Sequence, residues 1–365
     1  MTKTATAAVL REPHGQFSLE EVSLDDLKPD EILVRIEASG ICATDIMVQD
    51  MLSLPAVLGH EGAGVVEQIG SEVSQIKVGA RVAISYGSCN HCPNCLQQLP
   101  YVCDNSMQSN FSGLRLDGTH TITLADEPIT GAFFQQSSFA THAITLARDV
   151  VMIDQELSAQ MAAPLGCGIM TGAGSILNTM KVGAKDSLVV FGAGAVGLSA
   201  IMAGRLVGAS PLIAIDINAG RLELALELGA THAFNAGDGE IPERVREICP
   251  RGTKFSFETS GAEQALNDAI ACLAMTGHCG IVTAPHFGQK YPFSPSEILF
   301  RAAKLQGIFF GSSVPQDFLP QLIDFQREGK FPYERLIKTY DFADINQAFK
   351  DTESGDVIKP VLLMT

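Results

Sequence analysis

Residues 187–221 read SLVVFGAGAVGLSAIMAGRLVGASPLIAIDINAGR: an apolar strand-like run, a glycine-rich turn, an apolar helical run and a second strand-like run ending in an acid. Gly192, Gly194 and Gly197 follow the first run directly and open the helix, a context that turns a weak glycine spacing into a dinucleotide-binding fingerprint. Glycine permits the tight turn and lets backbone N–H groups approach a pyrophosphate at the helix N-terminus, with Val196 inside the same turn. Asp216 closes the second strand nineteen residues after Gly197. A carboxylate there accepts hydrogen bonds from an adenosine ribose and repels a 2′-phosphate, so NAD is expected rather than NADP.

Working outward, the alternation of strand and helix continues from about 169 to 309 through RLELALELGA, which predicts a doubly wound parallel sheet with crossover helices. Residues 1–168 have another texture: EILVRIEASG, GAGVVEQIG and GARVAISYG are short β-branched runs punctuated by glycine, and predict a mainly β domain. The tail, 310–365, ends in VIKPVLLMT, a strand-like close that needs a sheet elsewhere and is expected to rejoin the first domain. The fold class is therefore α/β, with two domains in a 365-residue chain too long for one compact core.

A formal net charge of −16 excludes non-specific nucleic-acid binding, since nothing would neutralise a run of phosphates. No window approaches the roughly 20 apolar residues of a membrane helix, and MTKTATAAVL lacks a signal-peptide core. The expected location is the cytoplasm, where nine cysteines suit metal binding better than a disulfide framework.

Four of those cysteines crowd into CNHCPNCLQQLPYVC, residues 89–103. The C-x2-C-x2-C-x7-C spacing lets one loop fold Cys89, Cys92, Cys95 and Cys103 around a tetrahedral ion, and four thiolates with no open position imply structural zinc. A second candidate set is dispersed: Cys42 in SGICATD, His60 and Glu61 in LGHEGAGVVEQIG, and Cys167 in AAPLGCGIMTG. Two thiolates and an imidazole leave one position open for water or a substrate oxygen, the arrangement of a catalytic zinc.

With its GHE-x-x-G-x-V segment, four-cysteine lobe, GCG segment and glycine fingerprint in this order, the whole chain resembles the zinc-dependent medium-chain alcohol dehydrogenases. The resemblance implies a GroES-like catalytic domain (1–168 and 310–365), a Rossmann NAD-binding domain (169–309), two zinc ions per chain, and oxidation of an alcohol to its aldehyde. It implies that Cys42, His60 and Cys167 hold the catalytic zinc, that Glu61 lies beside it as an occasional ligand, and that Asp45 hydrogen-bonds the histidine. Thr44 matches the hydroxyl that accepts the alcohol proton; Arg221 matches a contact at the adenosine end, and Lys359 a basic residue that meets the cofactor phosphate. The sequence departs from many relatives at Met47, where a proton-relay histidine is common, and at Ala43, where a basic residue often meets the pyrophosphate.

GAFFQQSSFATHAI resembles the aryl-alcohol branch and implies a substrate channel lined by Phe133, with Phe134 beside it; Met47 and Leu54 add apolar surface. A primary aromatic or allylic alcohol is the expected substrate. An aliphatic or polyol dehydrogenase is the alternative, a polyol needing polar groups near the zinc that the sequence does not show. A non-catalytic NAD-binding zinc protein is a further alternative and predicts a broken inner triad, whereas Cys42, His60 and Cys167 are all present. A homo-oligomer, dimer or tetramer, is the family's habit.

Overall fold

The computed structural model describes residues 3–283 and 289–364, and they form two compact units.

The first unit comprises residues 1–167, 314–320 and 334–365. It holds two sheets. A five-stranded sheet joins, in order, Ala56–Val57, Lys3–Leu10, Ser18–Leu24, Ile122–Leu124 and Glu127–Ile129. A seven-stranded sheet runs Val150–Met152, Arg81–Ile84, Gly62–Ile69, Glu31–Gly40, Lys359–Leu363 and Ile337–Asp341, with His142–Leu146 also on Glu31–Gly40. The long central strand is rich in β-branched residues, which favour a pleated, packed surface; Ile32, Val34 and Ile36 pack with Val66, Val82 and Ile84 in one core cluster. The C-terminal strand pairs antiparallel to that strand, Val361 opposite Gly40, which brings Lys359 beside Ile41.

The second unit comprises residues 168–313 and 321–333. Its six strands are all parallel, in the order His232–Asn235, Leu212–Asp216, Leu188–Phe191, Thr253–Glu258, Leu273–Ile281 and Lys304–Gly307. This 3-2-1-4-5-6 order is the doubly wound nucleotide-binding topology, with its crevice at the carboxyl ends of the two central strands. Leu188–Phe191 and Leu212–Asp216 are buried at every residue because helices cover both faces, which is why they read as continuous apolar runs.

The tail divides differently from the expected boundary. Residues 310–313 and 321–333 group with the second unit, and in the latter stretch Leu322, Ile323, Phe331 and Tyr333 are buried.

Candidate functional site

The first unit assembles Cys42, the adjacent pair His60 and Glu61, and Cys167 from three places in the chain, with one ligand-type atom from each lying within 4.8 Å of all the others. Cys42 caps the short helix Ala43–Met47, and Asp45 in its first turn reaches back to the Cys42 amide at 2.9 Å. The other Asp45 oxygen accepts from His60 Nδ1 at 2.9 Å and from the Gly59 amide at 3.2 Å. Nδ1 therefore faces Asp45 as the donor, and Nε2 is left facing the sulfurs. That nitrogen is buried and has no hydrogen-bond partner.

The charges around this point call for a cation. Hydrogen bonding from Cys167, helped by Lys359 and His60, holds the Cys42 thiol well below the ordinary range against the effect of burial. The same contact, with burial, pushes Cys167 well above it. Burial disfavours an imidazolium at His60, yet Asp45 and Cys42 raise its pKa to about 10. Two sulfurs, an orphaned imidazole nitrogen and a nearby carboxylate fit zinc, whose site donors are soft sulfur and imidazole nitrogen.

Lys359 corrects an expectation. Its ammonium is buried and donates to both Glu61 oxygens at 2.9 Å and to the Ile41 carbonyl at 3.1 Å. An ammonium has three protons, so none is left for a cofactor phosphate. Burial raises the Glu61 pKa to about 7 even though Lys359 opposes the rise. Gly40 makes room for this pair: a Cβ there would lie 2.1 Å from Glu61 Oε2.

Phe133 and Phe134 are also corrected. Both rings are buried, so they do not line an open channel; they pack on the His60 ring, with centroids at 5.4 and 4.5 Å, in tilted and edge-on geometries that suit aromatic quadrupoles. Met47 and Leu54, which were expected, are half-buried, as is Phe111, which was not expected and packs 5.2 Å from Phe134. Phe111 carries no pattern that would have marked it, since its proximity arises from a separate helix, Ser106–Phe111. Thr44 is half-buried, with its hydroxyl 3.7 Å from Cys42 Sγ.

Cys89, Cys92, Cys95 and Cys103 form the second cluster, again within 4.8 Å of one another. Cys89–Cys95 and Cys92–Cys103 sulfurs are 4.0 Å apart, close to the ~3.8 Å edge of a tetrahedron with metal–sulfur bonds of about 2.3 Å. Backbone amides of Cys89, Cys92, Cys95 and Asp104 point at the sulfurs of Cys103, Cys89 and Cys92 at 3.4 to 3.5 Å; Cys89 and Cys92 are held below the ordinary thiol range, while burial pushes Cys95 up to about 12 and raises Cys103. His91 turns away and places Nδ1 on the Cys89 carbonyl.

In the second unit, Gly192 has φ +92°, open only to glycine at low cost, and a Cβ on Gly197 would strike the Gly192 carbonyl at 1.8 Å. Around Gly194 a Cβ would meet nothing within 4 Å, so this side of the turn is an open cradle at the start of the helix Ala195–Leu206. That cradle and the helix's first amides fit a pyrophosphate. Val196 is half-exposed in the first turn, its carbonyl closely approached by Gly172. Asp216 accepts from the Ala193 amide at 2.5 Å and the Asn218 amide at 2.8 Å, which joins the acid to the glycine turn. Arg221 is half-buried one turn further on, its amide capped by Asn218.

Residues 28–154 match the alcohol dehydrogenase GroES-like domain and residues 195–327 the zinc-binding dehydrogenase domain. The chain is 41% identical over 364 residues to a geraniol dehydrogenase of Castellaniella defragrans, with 99% of this chain and 98% of the relative covered. Its fold matches the crystal structure of an alcohol dehydrogenase zinc-binding domain protein from Burkholderia ambifaria, with a TM-score of 0.97, 41% identity and both chains covered completely. It matches the crystal structure of benzyl alcohol dehydrogenase from Acinetobacter calcoaceticus equally fully, with a TM-score of 0.96 and 38% identity. These matches agree on one class, a two-domain dehydrogenase with a GroES-like unit and a nucleotide-binding unit. The chain belongs to the zinc-dependent medium-chain alcohol dehydrogenase family.

Proposed function

We propose that the protein is an NAD-dependent dehydrogenase of primary allylic and aromatic alcohols, reversibly forming the aldehyde, with zinc held by Cys42, His60 and Cys167 and a second, structural zinc held by the four-cysteine lobe. The observation that carries this reading is the buried, partnerless His60 Nε2 lying among two sulfurs and a carboxylate. When bound there, zinc supplies Lewis acidity that lowers the pKa of an alcohol oxygen. NAD, bound at the Gly192–Gly197 turn and selected by Asp216, accepts the hydride.

The chain's own residues do the rest. Asp45 keeps His60 in the tautomer whose Nε2 is a donor to metal. Thr44 Oγ1, beside Cys42, accepts the alcohol proton and passes it to water or the cofactor ribose, because Met47 cannot carry it further. Met47, Leu54 and Phe111 supply apolar surface for an aryl or alkenyl group, consistent with relatives described as geraniol and benzyl alcohol dehydrogenases. Self-association is proposed through the second unit, whose sheet ends in the edge strand Lys304–Gly307 and whose helix Pro295–Arg301 carries Leu299 and Phe300 at 73% and 77% exposure. No helix among the described residues is long and apolar enough to cross a membrane; the nine unpaired cysteines suit a reducing compartment, and we place the protein in the cytoplasm.

The test is the initial rate of NADH formation with geraniol, cinnamyl, benzyl, allyl and ethyl alcohols, repeated with NADP. Fast turnover of the allylic and aromatic alcohols with NAD is expected. Preference for ethanol would overturn the substrate reading, and no oxidation by zinc-replete protein would overturn the activity.

A further inference from the structure

Asp45 ties Cys42 to His60, but Cys167 arrives from a different part of the chain and needs its own tie. One lies in the loop after Ala132. Gln136 is 1% exposed; its Oε1 accepts from the Gly62 amide at 3.0 Å, and its Nε2 donates to the His60 carbonyl at 2.9 Å and the Ser85 carbonyl at 3.3 Å. Gln136 thus straddles Glu61 and clamps the backbone on either side of it. Ser85 in turn donates its hydroxyl to the Gly166 carbonyl at 2.7 Å, and Gly166 precedes Cys167. The path His60–Gln136–Ser85–Gly166–Cys167 is continuous and buried.

Two features mark it as built for this purpose. The N–H of Gly62 requires an acceptor while two carbonyls require a donor, so only a primary amide of this length serves all three. The loop that delivers it is costly: Phe134, Gln135 and Ser137 are non-glycine residues with φ of +51°, +53° and +48°. Such conformations persist where the surroundings over-determine them. Here Ser137 Oγ donates to the Val57 carbonyl at 2.6 Å, and Gln135 Nε2 donates to the Ser109 and Leu114 carbonyls at 2.9 Å.

We propose that Gln136 and Ser85 are positioning residues that fix the separation of His60 from Cys167, and so the geometry and retention of the metal. The inference rests on the reading that Cys42, His60 and Cys167 hold zinc. Holoenzyme is challenged with excess chelator, zinc release is followed with a metallochromic dye, and the visible spectrum is recorded after cobalt(II) exchange. Ser85→Ala and Gln136→Leu are each expected to lose one zinc per chain about ten- to hundredfold faster, with a shifted cobalt d–d band. Ser85→Thr, which keeps the hydroxyl, retains the wild-type rate and band. Folded Ser85→Ala with wild-type release and spectrum overturns the proposal, and decides it should Gln136→Leu fail to fold. A zinc content that His60→Ala leaves unchanged overturns the proposal together with the reading beneath it, whereas two zincs with unaffected variants overturn the proposal alone.

Discussion

Asp45 and His60 form a buried pair, Oδ1 to Nδ1 at 2.9 Å, in which neither side chain is exposed to solvent. The same carboxylate holds the Cys42 amide, so one acid orients two of the groups proposed to bind zinc. Asp45→Asn keeps the size and removes the charge that favours the Nδ1–H tautomer. Zinc affinity, measured by competition with a chelator, is expected to fall about ten- to hundredfold. Unchanged affinity would assign Asp45 to capping its helix alone.

Lys359 and Glu61 form a deeply buried ion pair in the first unit, exposed by 2% and 0%. Lys359→Met leaves a carboxylate without its counter-charge and is expected to destabilise the protein by about 3–5 kcal/mol in urea unfolding. Lys359→Met combined with Glu61→Leu removes both charges and recovers part of that loss. A double variant less stable than the single one would refute this account.

Asp149 predicts a pH dependence. It is buried, Oδ2 has no hydrogen-bond partner, and burial raises its pKa to about 7 although Arg148 lowers it. In the unfolded chain the group titrates near about 4. The folded state binds the proton more tightly, so the group favours folding below about pH 4 and that contribution is lost as pH rises toward 7. A rise of about three units corresponds to about 4 kcal/mol. Asp149→Asn, which cannot ionise, should gain stability relative to wild type between pH 5 and pH 8. A gap that stays constant across this range counts against the assignment.

Asp216 predicts cofactor preference. Replacing it with Ala removes an acceptor for the ribose and the hold on the Ala193 amide. kcat/KM for NAD is expected to fall about ten- to hundredfold, the worth of one or two hydrogen bonds to a charged group, while the ratio of NADP to NAD use rises. Steady-state rates with both cofactors check this, and an unchanged ratio would refute it.

Some of this molecule was legible because its signals are local. The glycine turn lies within six residues between a strand and a helix, and the four cysteines lie within fifteen, so spacing alone suggested their chemistry. Cys42, His60 and Cys167 are too far apart for spacing to relate them, and only the order of motifs suggested a common site. Lys359 and Phe133 misled for the same reason: a basic residue or an aromatic ring has one identity but several possible neighbours, and neighbours are set by strand pairing. The roles of Gln136, Ser85 and Phe111 were not marked by residue type or spacing: Gln136 lies in a strained loop, Ser85 just beyond a strand and Phe111 at the end of a helix.

The amino-acid order by itself determined the alternation of strands and helices, the two textures of the chain and the presence of two sets of soft metal donors, because each follows from side-chain type and short-range spacing. Only the tertiary structure decided that the last strand pairs with Glu31–Gly40 and spends the Lys359 charge on Glu61, and that a strained loop delivers Gln136 between His60 and Ser85. These contacts join residues as far apart in the chain as Ala38 and Leu363, where no local preference operates and the burial of the whole unit selects the partners.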